Sequence, residues 1–110
     1  MHSGRILCSH LVDLWTPGQA GSPEKAILEE MESLKAALAV ERAYQPGNRV
    51  LVETGENGPV IPGEVTAIEQ RETDRLLRVS FLDGYCWRPQ DWTPDHTVAI
   101  TERSDGASAG

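Results

Sequence analysis

An alternating apolar segment that runs into an Asp-Gly turn, residues 79–87, constrains the fold of this chain most strongly. Val79 and Phe81 occupy alternate positions, as expected for a strand with one buried face. Asp83 and Gly84 form a dipeptide that two-residue hairpin turns favour, and two aromatic residues follow shortly after it. The segment therefore predicts a β-hairpin with aromatic side chains near its tip, where binding residues are often found.

Short strands and turn residues alternate through the second half of the chain. Pro46 and Gly47 precede a predicted strand at residues 49–53, and two more strands are predicted at residues 63–70 and 76–81. Closely spaced strands that are separated by glycine and proline are typical of a small barrel.

The remaining elements of the predicted barrel are shorter. The polar residues 71–74 predict a hairpin turn, and residues 85–88 predict a short fourth strand. Residues 89–92 predict a single helical turn, and residues 98–100 predict a fifth strand that closes the sheet.

Residues 23–44 have the composition and spacing of an amphipathic helix. Ser22 is a favourable N-cap and Pro23 suits the first helical position. Four apolar residues recur at intervals that place them on one stripe of a helix. The stripe consists of Ile27, Met31, Leu34 and Leu38. We expect this stripe to pack on the barrel, to meet a partner helix in a coiled coil, or to form a homodimer.

The domain boundaries follow from these patterns. Residues 1–22 are either an extra strand or a linker, residues 23–44 form the helix, residues 45–101 form the barrel, and residues 102–110 form a flexible tail. A chain of 110 residues has the length of one ordinary domain. We expect it to belong to a longer intracellular protein.

The charge balance favours basic partners. The chain has 10 Lys and Arg against 17 Asp and Glu, which gives a formal net charge of −7 at pH 7. Nucleic-acid binding draws its affinity from clustered bases, so this composition disfavours it. A local patch of Arg71, Arg75 and Arg78 leaves a nucleic-acid-binding small barrel as an alternative.

The sequence predicts neither catalysis nor a metal or cofactor. Its two cysteines, Cys8 and Cys86, lack metal-ligand spacing and do not indicate a disulfide scaffold. The histidines are scattered, and no nucleophile or phosphate-binding motif is present. No segment approaches the roughly 20 apolar residues of a membrane span, so we predict no membrane association.

The order of these motifs resembles that of a Tudor domain over residues 45–100. Residues 47–52 match its Gly-x-x-Val-x-Val opening, and residues 62–65 match the x-Gly-x-Val of its second strand. Residues 79–84 match its Val-x-Phe-x-Asp-Gly segment, and residues 89–91 match its Pro-x-Asp segment. The resemblance implies a mainly β protein, a five-stranded SH3-like barrel that is preceded here by the amphipathic helix.

The resemblance also implies a function. Tudor domains are protein-interaction modules of nuclear, chromatin-associated proteins, and they bind methylated or basic peptides such as histone tails through an aromatic cage. In this chain Phe81, together with Tyr85 or Trp87, corresponds to half of that cage, and Asp83 corresponds to the acid beside it. Trp92 is a further ligand-binding candidate.

Each of these residues also has a structural alternative. Phe81 is suited to the core, Tyr85 and Trp87 to packing under the helix, Asp83 to forming the turn, and Trp92 to plugging one end of the barrel. If those roles hold, the chain is a structural adaptor or dimerisation domain with a degenerate Tudor barrel.

Overall fold

Six antiparallel strands close into a barrel in the computed structural model, which describes residues 5–18 and 21–98. The small all-β barrel expected from the sequence is therefore present, but it has six strands instead of five and no helix within the described residues. The strands are β1 (Ile6–Trp15), β2 (Glu24–Met31), β3 (Lys35–Val40), β4 (Arg49–Glu53), β5 (Val60–Gln70) and β6 (Arg75–Phe81).

The strand order around the barrel is β1-β2-β3-β6-β5-β4, and β4 closes the barrel by pairing with β1. Strands β1 to β3 form a meander, and the connection at residues 41–48 returns the chain to the far side of β1, which is a Greek-key arrangement. Closure pairs every strand with two neighbours, so the sheet has no long free edge.

The prediction of a helix at residues 23–44 is wrong, because these residues contain the β2–β3 hairpin. Met31 and Leu38 point into the barrel and are fully buried, whereas Leu34 lies in the hairpin turn with 62% of its surface exposed. Ile27 is half-buried on the outer face of β2. These four residues do not share a stripe, so they offer no coiled-coil seam and no helical dimer interface.

A shift in the pairing register of β2 explains why the apolar residues of this hairpin have the spacing of a helix. The pairing of β2 with β3 shifts between Leu28 and Glu30, so the two consecutive residues Glu29 and Glu30 both avoid the interior and Met31 returns to it. Such a bulge interrupts the two-residue period of a strand. The apolar spacing that results is close to that of a helix.

Three predicted strands correspond to observed ones. β4 has the predicted bounds, and its Val50 and Val52 face the core with 1% and 3% exposure. β5 starts at Val60, earlier than predicted, and β6 points Leu77 and Val79 inward as expected. The predicted polar hairpin joins them, with the Arg71 amide donating to Asp74 O at 3.0 Å.

The chain after β6 closes one end of the barrel and forms no further strand within the described residues. The Trp87 amide donates to Ser33 O at 2.8 Å, so residues 85–88 pack against the β2–β3 turn where a fourth strand was predicted. Val98 makes a single bridge to Leu7. The rest of the predicted fifth strand, residues 99–100, and the predicted tail, residues 102–110, lie outside the described residues.

Gly63 marks a close approach between strands. A Cβ atom at this position would lie 2.3 Å from Val79 Cγ1 and 3.3 Å from Ser80 O. Val79 is 1% exposed and β-branched, so its methyl groups have little room to move. The interior at this level is filled without a side chain from β5.

We expect Gly63→Ala to destabilise the barrel by about 1–3 kcal/mol, because the added methyl group overpacks the core. Urea unfolding followed by circular dichroism measures the change. The same substitution in a Val79→Ala background should cost less, since the obstructing methyl group is gone. Equal costs in the two backgrounds would show that the contact with Val79 is not the cause.

Candidate functional site

The predicted aromatic residues meet at one end of the barrel. The rings of Phe81 and Tyr85 pack edge to face with centroids 5.2 Å apart, and those of Trp87 and Trp92 with centroids 6.5 Å apart. The aromatic residues predicted from the sequence therefore lie close together. Apart from Phe81, at the end of β6, they belong to the segment that follows β6 and not to a second hairpin strand.

Hydrogen bonds inside this cluster engage both of its indole groups. Trp87 Nε1 donates to Trp92 O at 2.9 Å, and Trp92 Nε1 donates to the Tyr85 hydroxyl at 3.1 Å. Trp87 is only 2% exposed and belongs to the hydrophobic core. With 2% of its surface exposed, the Trp87 ring has no open face for a ligand cation.

Asp83 lies in the tight turn that precedes the cluster. Asp83 and Gly84 have φ angles of 58° and 75°, and the Tyr85 amide donates to Leu82 O at 3.1 Å. Positive φ at both central residues is the signature of the hairpin turn that Asp-Gly favours. The Asp83 side chain is exposed to solvent.

His10 fastens the end of the described chain to the barrel, which sequence reasoning did not anticipate. Its Nδ1 accepts the Asp95 amide proton at 2.9 Å, and its ring lies 5.6 Å from that of Trp92. Because Nδ1 accepts, the 2.6 Å contact between Nε2 and Thr54 O requires the proton on Nε2. His10 thus links β1 to the backbone at both Thr54 and Asp95.

Arg71 spans the outer surface between the β5–β6 hairpin and β2. It lies 3.0 Å from Glu29 Oε1 and 2.7 Å from Asp74 Oδ1. The hydrogen bonds to Asp74 and Glu29 raise the pKa of Arg71, and the same guanidinium lowers the pKa of the Asp74 carboxyl. This arginine is therefore engaged with two carboxylates.

The other two arginines of the predicted basic patch also contact protein acceptors. Arg78 lies 2.7 Å from Glu69 Oε2, and this hydrogen bond raises the pKa of Arg78. Arg75 donates to the backbone carbonyl of Glu41. The outer surface of β2, β3 and β6 is consequently an ion-paired face on which acids accompany the bases.

The opposite part of the exterior carries large apolar side chains. Strands β1, β4 and the start of β5 direct large side chains outward, and Leu11, Trp15 and Val60 are 58%, 38% and 52% exposed. We call this surface the β1–β4 face. It consists of Leu11, Asp13, Trp15, Leu51, Glu53 and Val60.

Acidic groups accompany the apolar ones on the β1–β4 face. Trp15 Nε1 donates to Glu53 Oε1 at 3.0 Å, which fixes the orientation of the indole. Asp13 lies directly opposite Glu53 in the pairing of β1 with β4. Lys25, from β2, places Nζ 2.6 Å from Asp13 Oδ1. The face thus combines an exposed aromatic ring with two neighbouring carboxylates.

No protein-family model and no curated protein matches this chain.

One sequence signal did point to the β1–β4 face. Alternation along residues 6–15 places Val12 and Leu14 on one side and Leu11 and Trp15 on the other. Both sides are apolar, which is unusual for a strand with one solvated face. The sequence does not reveal which side faces solvent, because that depends on where the neighbouring strands lie.

The described residues contain neither a metal-binding cluster nor an activated Cys8 thiol. They contain no group of three or more His, Cys, Asp or Glu that could hold a metal ion. Burial raises the pKa of the Cys8 thiol to about 11, which keeps it protonated at neutral pH. Within residues 5–18 and 21–98 no helix has the length and apolar character to cross a bilayer.

Proposed function

We propose that this barrel is a non-enzymatic protein-interaction module that binds a basic peptide segment of a partner protein through the β1–β4 face. The observation that carries the proposal is the exposure of Leu11, Trp15 and Val60 on adjoining strands of one face. Soluble domains rarely expose contiguous large apolar groups without a binding role.

The contrast between the two sides of the barrel supports this choice of surface. On the ion-paired face, Arg71 and Arg78 form salt bridges with carboxylates of neighbouring strands. Those charges are already partnered, and the apolar residues Ala37 and Leu76 on that side of the barrel are only 1% and 6% exposed. On the β1–β4 face, Leu11 is 58% exposed.

Charge complementarity supports a basic partner. The chain has a net charge of −7, and Asp13 and Glu53 place negative charge beside the exposed apolar groups. A second copy of the chain would bring the same acids together, so self-association through this face is electrostatically disfavoured. A segment with Lys or Arg would instead be attracted.

The resemblance to Tudor barrels favours the same class of ligand, a basic or methylated peptide. Tudor-type recognition would use Phe81, Tyr85 and Trp87, but Trp87 is 2% exposed and its indole donates to the backbone of Trp92. We therefore propose Trp15, and not the aromatic cluster, as the principal aromatic contact. A dependence on methylation is an outcome that the experiment below distinguishes.

We expect basic peptides to shift the backbone amide signals of Leu11, Trp15 and Glu53, and the Trp15 indole signal, in a two-dimensional NMR titration. Trp15→Ala should weaken binding about tenfold or more, in line with the loss of an aromatic contact at the centre of an interface. The peptides should be tested unmodified and with methylated lysine, next to an acidic peptide of equal length.

Leu34→Ala is the matched control, because Leu34 is 62% exposed in the β2–β3 turn, outside the β1–β4 face. It should leave the affinity unchanged, whereas Leu11→Ala should reduce it. Methylation-dependent shifts at Tyr85 and Trp87 would instead assign binding to the aromatic cluster. If no basic peptide shifts any signal, the proposed function is wrong.

A further inference from the structure

We infer that the β1–β4 face recognises an arginine side chain of the partner segment, which stacks on the Trp15 indole and pairs with Glu53 and Asp13. This inference rests on the proposed function and specifies its ligand. It follows from how the indole, the two carboxylates and the apolar side chains are arranged.

The indole of Trp15 is held at one edge and is partly exposed. Its Nε1 donates to Glu53 Oε1 at 3.0 Å, and the residue is 38% exposed. A ring that is fixed by a hydrogen bond at one edge loses little conformational freedom when a ligand packs on it. A guanidinium is planar and weakly hydrated, so it stacks on an indole more readily than an ammonium group does.

The two carboxylates carry negative charge that the barrel only partly neutralises. Asp13 and Glu53 lie directly opposite each other on adjacent strands, an arrangement in which like charges repel. Lys25 lies 2.6 Å from Asp13 and balances one of the two charges. Arg49, the next outward residue of β4 after Leu51, lies opposite Glu64, and these two charges offset each other. One formal negative charge therefore remains beside the indole, and an arginine there would balance it through charge-assisted hydrogen bonds.

The spacing along β1 suggests how the partner segment lies. Leu11, Asp13 and Trp15 are alternate residues on the outer face of β1, so they are spaced by about 7 Å each. An extended partner has the same spacing, so its residues i, i+2 and i+4 would face these three positions. A segment with an apolar residue over Leu11 and an arginine at i+2 or i+4 would make both the apolar contact and the contact with the indole and the carboxylates.

The probe is a host peptide with the core Val-Thr-Arg-Thr-Val, compared with versions in which lysine or citrulline replaces arginine. Citrulline keeps the shape of arginine but removes its charge. We expect the arginine peptide to bind about tenfold more tightly than the citrulline peptide and more tightly than the lysine peptide. Affinities follow from NMR shifts of the Trp15 indole at low and high salt.

Protein variants complete the test. Glu53→Gln keeps an oxygen that can accept from the Trp15 indole but removes the charge, so it should abolish most of the preference for arginine over citrulline. Glu72→Gln makes the same charge change at an exposed position in the β5–β6 hairpin, and it should leave the preference intact.

The outcomes separate this inference from the proposed function. Equal binding of the arginine and citrulline peptides at Trp15 would overturn the arginine site while leaving the interaction module in place. Tighter binding of the lysine peptide would overturn the stacked guanidinium. Loss of the preference in Glu72→Gln would show that only overall charge matters. Absence of binding by all three peptides would overturn both proposals for this face.

Discussion

Trp87→Ala is expected to destabilise the barrel by about 3–5 kcal/mol, the range for removing a large buried aromatic side chain. Trp87 is 2% exposed and packs in the hydrophobic core, and its indole donates to Trp92 O at 2.9 Å. The substitution removes both the packing and the bond that holds Trp92 over the barrel end. Because small domains are stable by only about 5–15 kcal/mol, urea unfolding should show a much lower midpoint.

Trp15→Ala is the matched control for this experiment, since it makes the same chemical change at a residue that is 38% exposed. It should cost less than about 1 kcal/mol, as most surface substitutions do. The comparison distinguishes Trp87, which we expect to stabilise the fold, from Trp15, which we propose contacts a partner. If Trp87→Ala instead kept the stability of the unmodified protein and lost peptide binding, the ring of Trp87 would be a ligand contact.

The parts of the fold that were predicted correctly depend on local signals. Val50 and Val52 alternate within a short strand, and the Asp83-Gly84 turn has positive φ at both positions. Alternation and turn preference are properties of a few neighbouring residues, so they can be recognised without knowledge of the partners. β4, the β5–β6 hairpin and the turn after β6 were predictable for this reason.

The helix prediction failed because tertiary contacts outweighed local propensity. Alanine, glutamate, lysine and leucine favour helices, and residues 23–44 are rich in them. In a helix, Glu24 and Glu41 would be separated by about 25 Å. In the barrel, the Glu24 carboxylate accepts the Glu41 amide proton, because β2 and β3 fold back on each other. Pairing on both sides within a closed sheet stabilises these strands, and a window of sequence does not contain that information.

The candidate site was only partly predictable for the same reason. The aromatic residues around Trp87 were recognised, but whether they face a ligand or the core depends on the chain that covers them. Trp15 and Glu53 are 38 residues apart in sequence and meet only because β4 returns beside β1. The connection at residues 41–48 creates this pairing, but its first half, residues 41–44, was predicted as the end of a helix.

Glu24→Ala is expected to destabilise the barrel by about 2–4 kcal/mol, because it leaves several donors of the β3–β4 connection without their shared acceptor. Glu24 is 6% exposed. Its Oε2 accepts the amide protons of Glu41 and Arg42 at 2.5 and 3.1 Å, and its Oε1 accepts the Tyr44 hydroxyl at 2.7 Å. This carboxylate therefore holds the segment that carries the chain across the barrel to β4.

Glu24→Gln should restore only part of the stability. The amide oxygen can take the place of Oε2 and accept both backbone amide protons, and the NH2 group can then donate to the Tyr44 hydroxyl. The hydrogen bonds are kept but lose the charge of the carboxylate, which makes them weaker. Tyr44→Phe removes a single hydrogen bond and should cost about 1 kcal/mol. Glu72→Ala, at an exposed position, should be nearly neutral.

In a double-mutant cycle, Tyr44→Phe should cost little once Glu24 is already alanine, because the two groups act through the same hydrogen bond. Fully additive losses would mean that the bond to Tyr44 is not one of the routes by which Glu24 stabilises the connection.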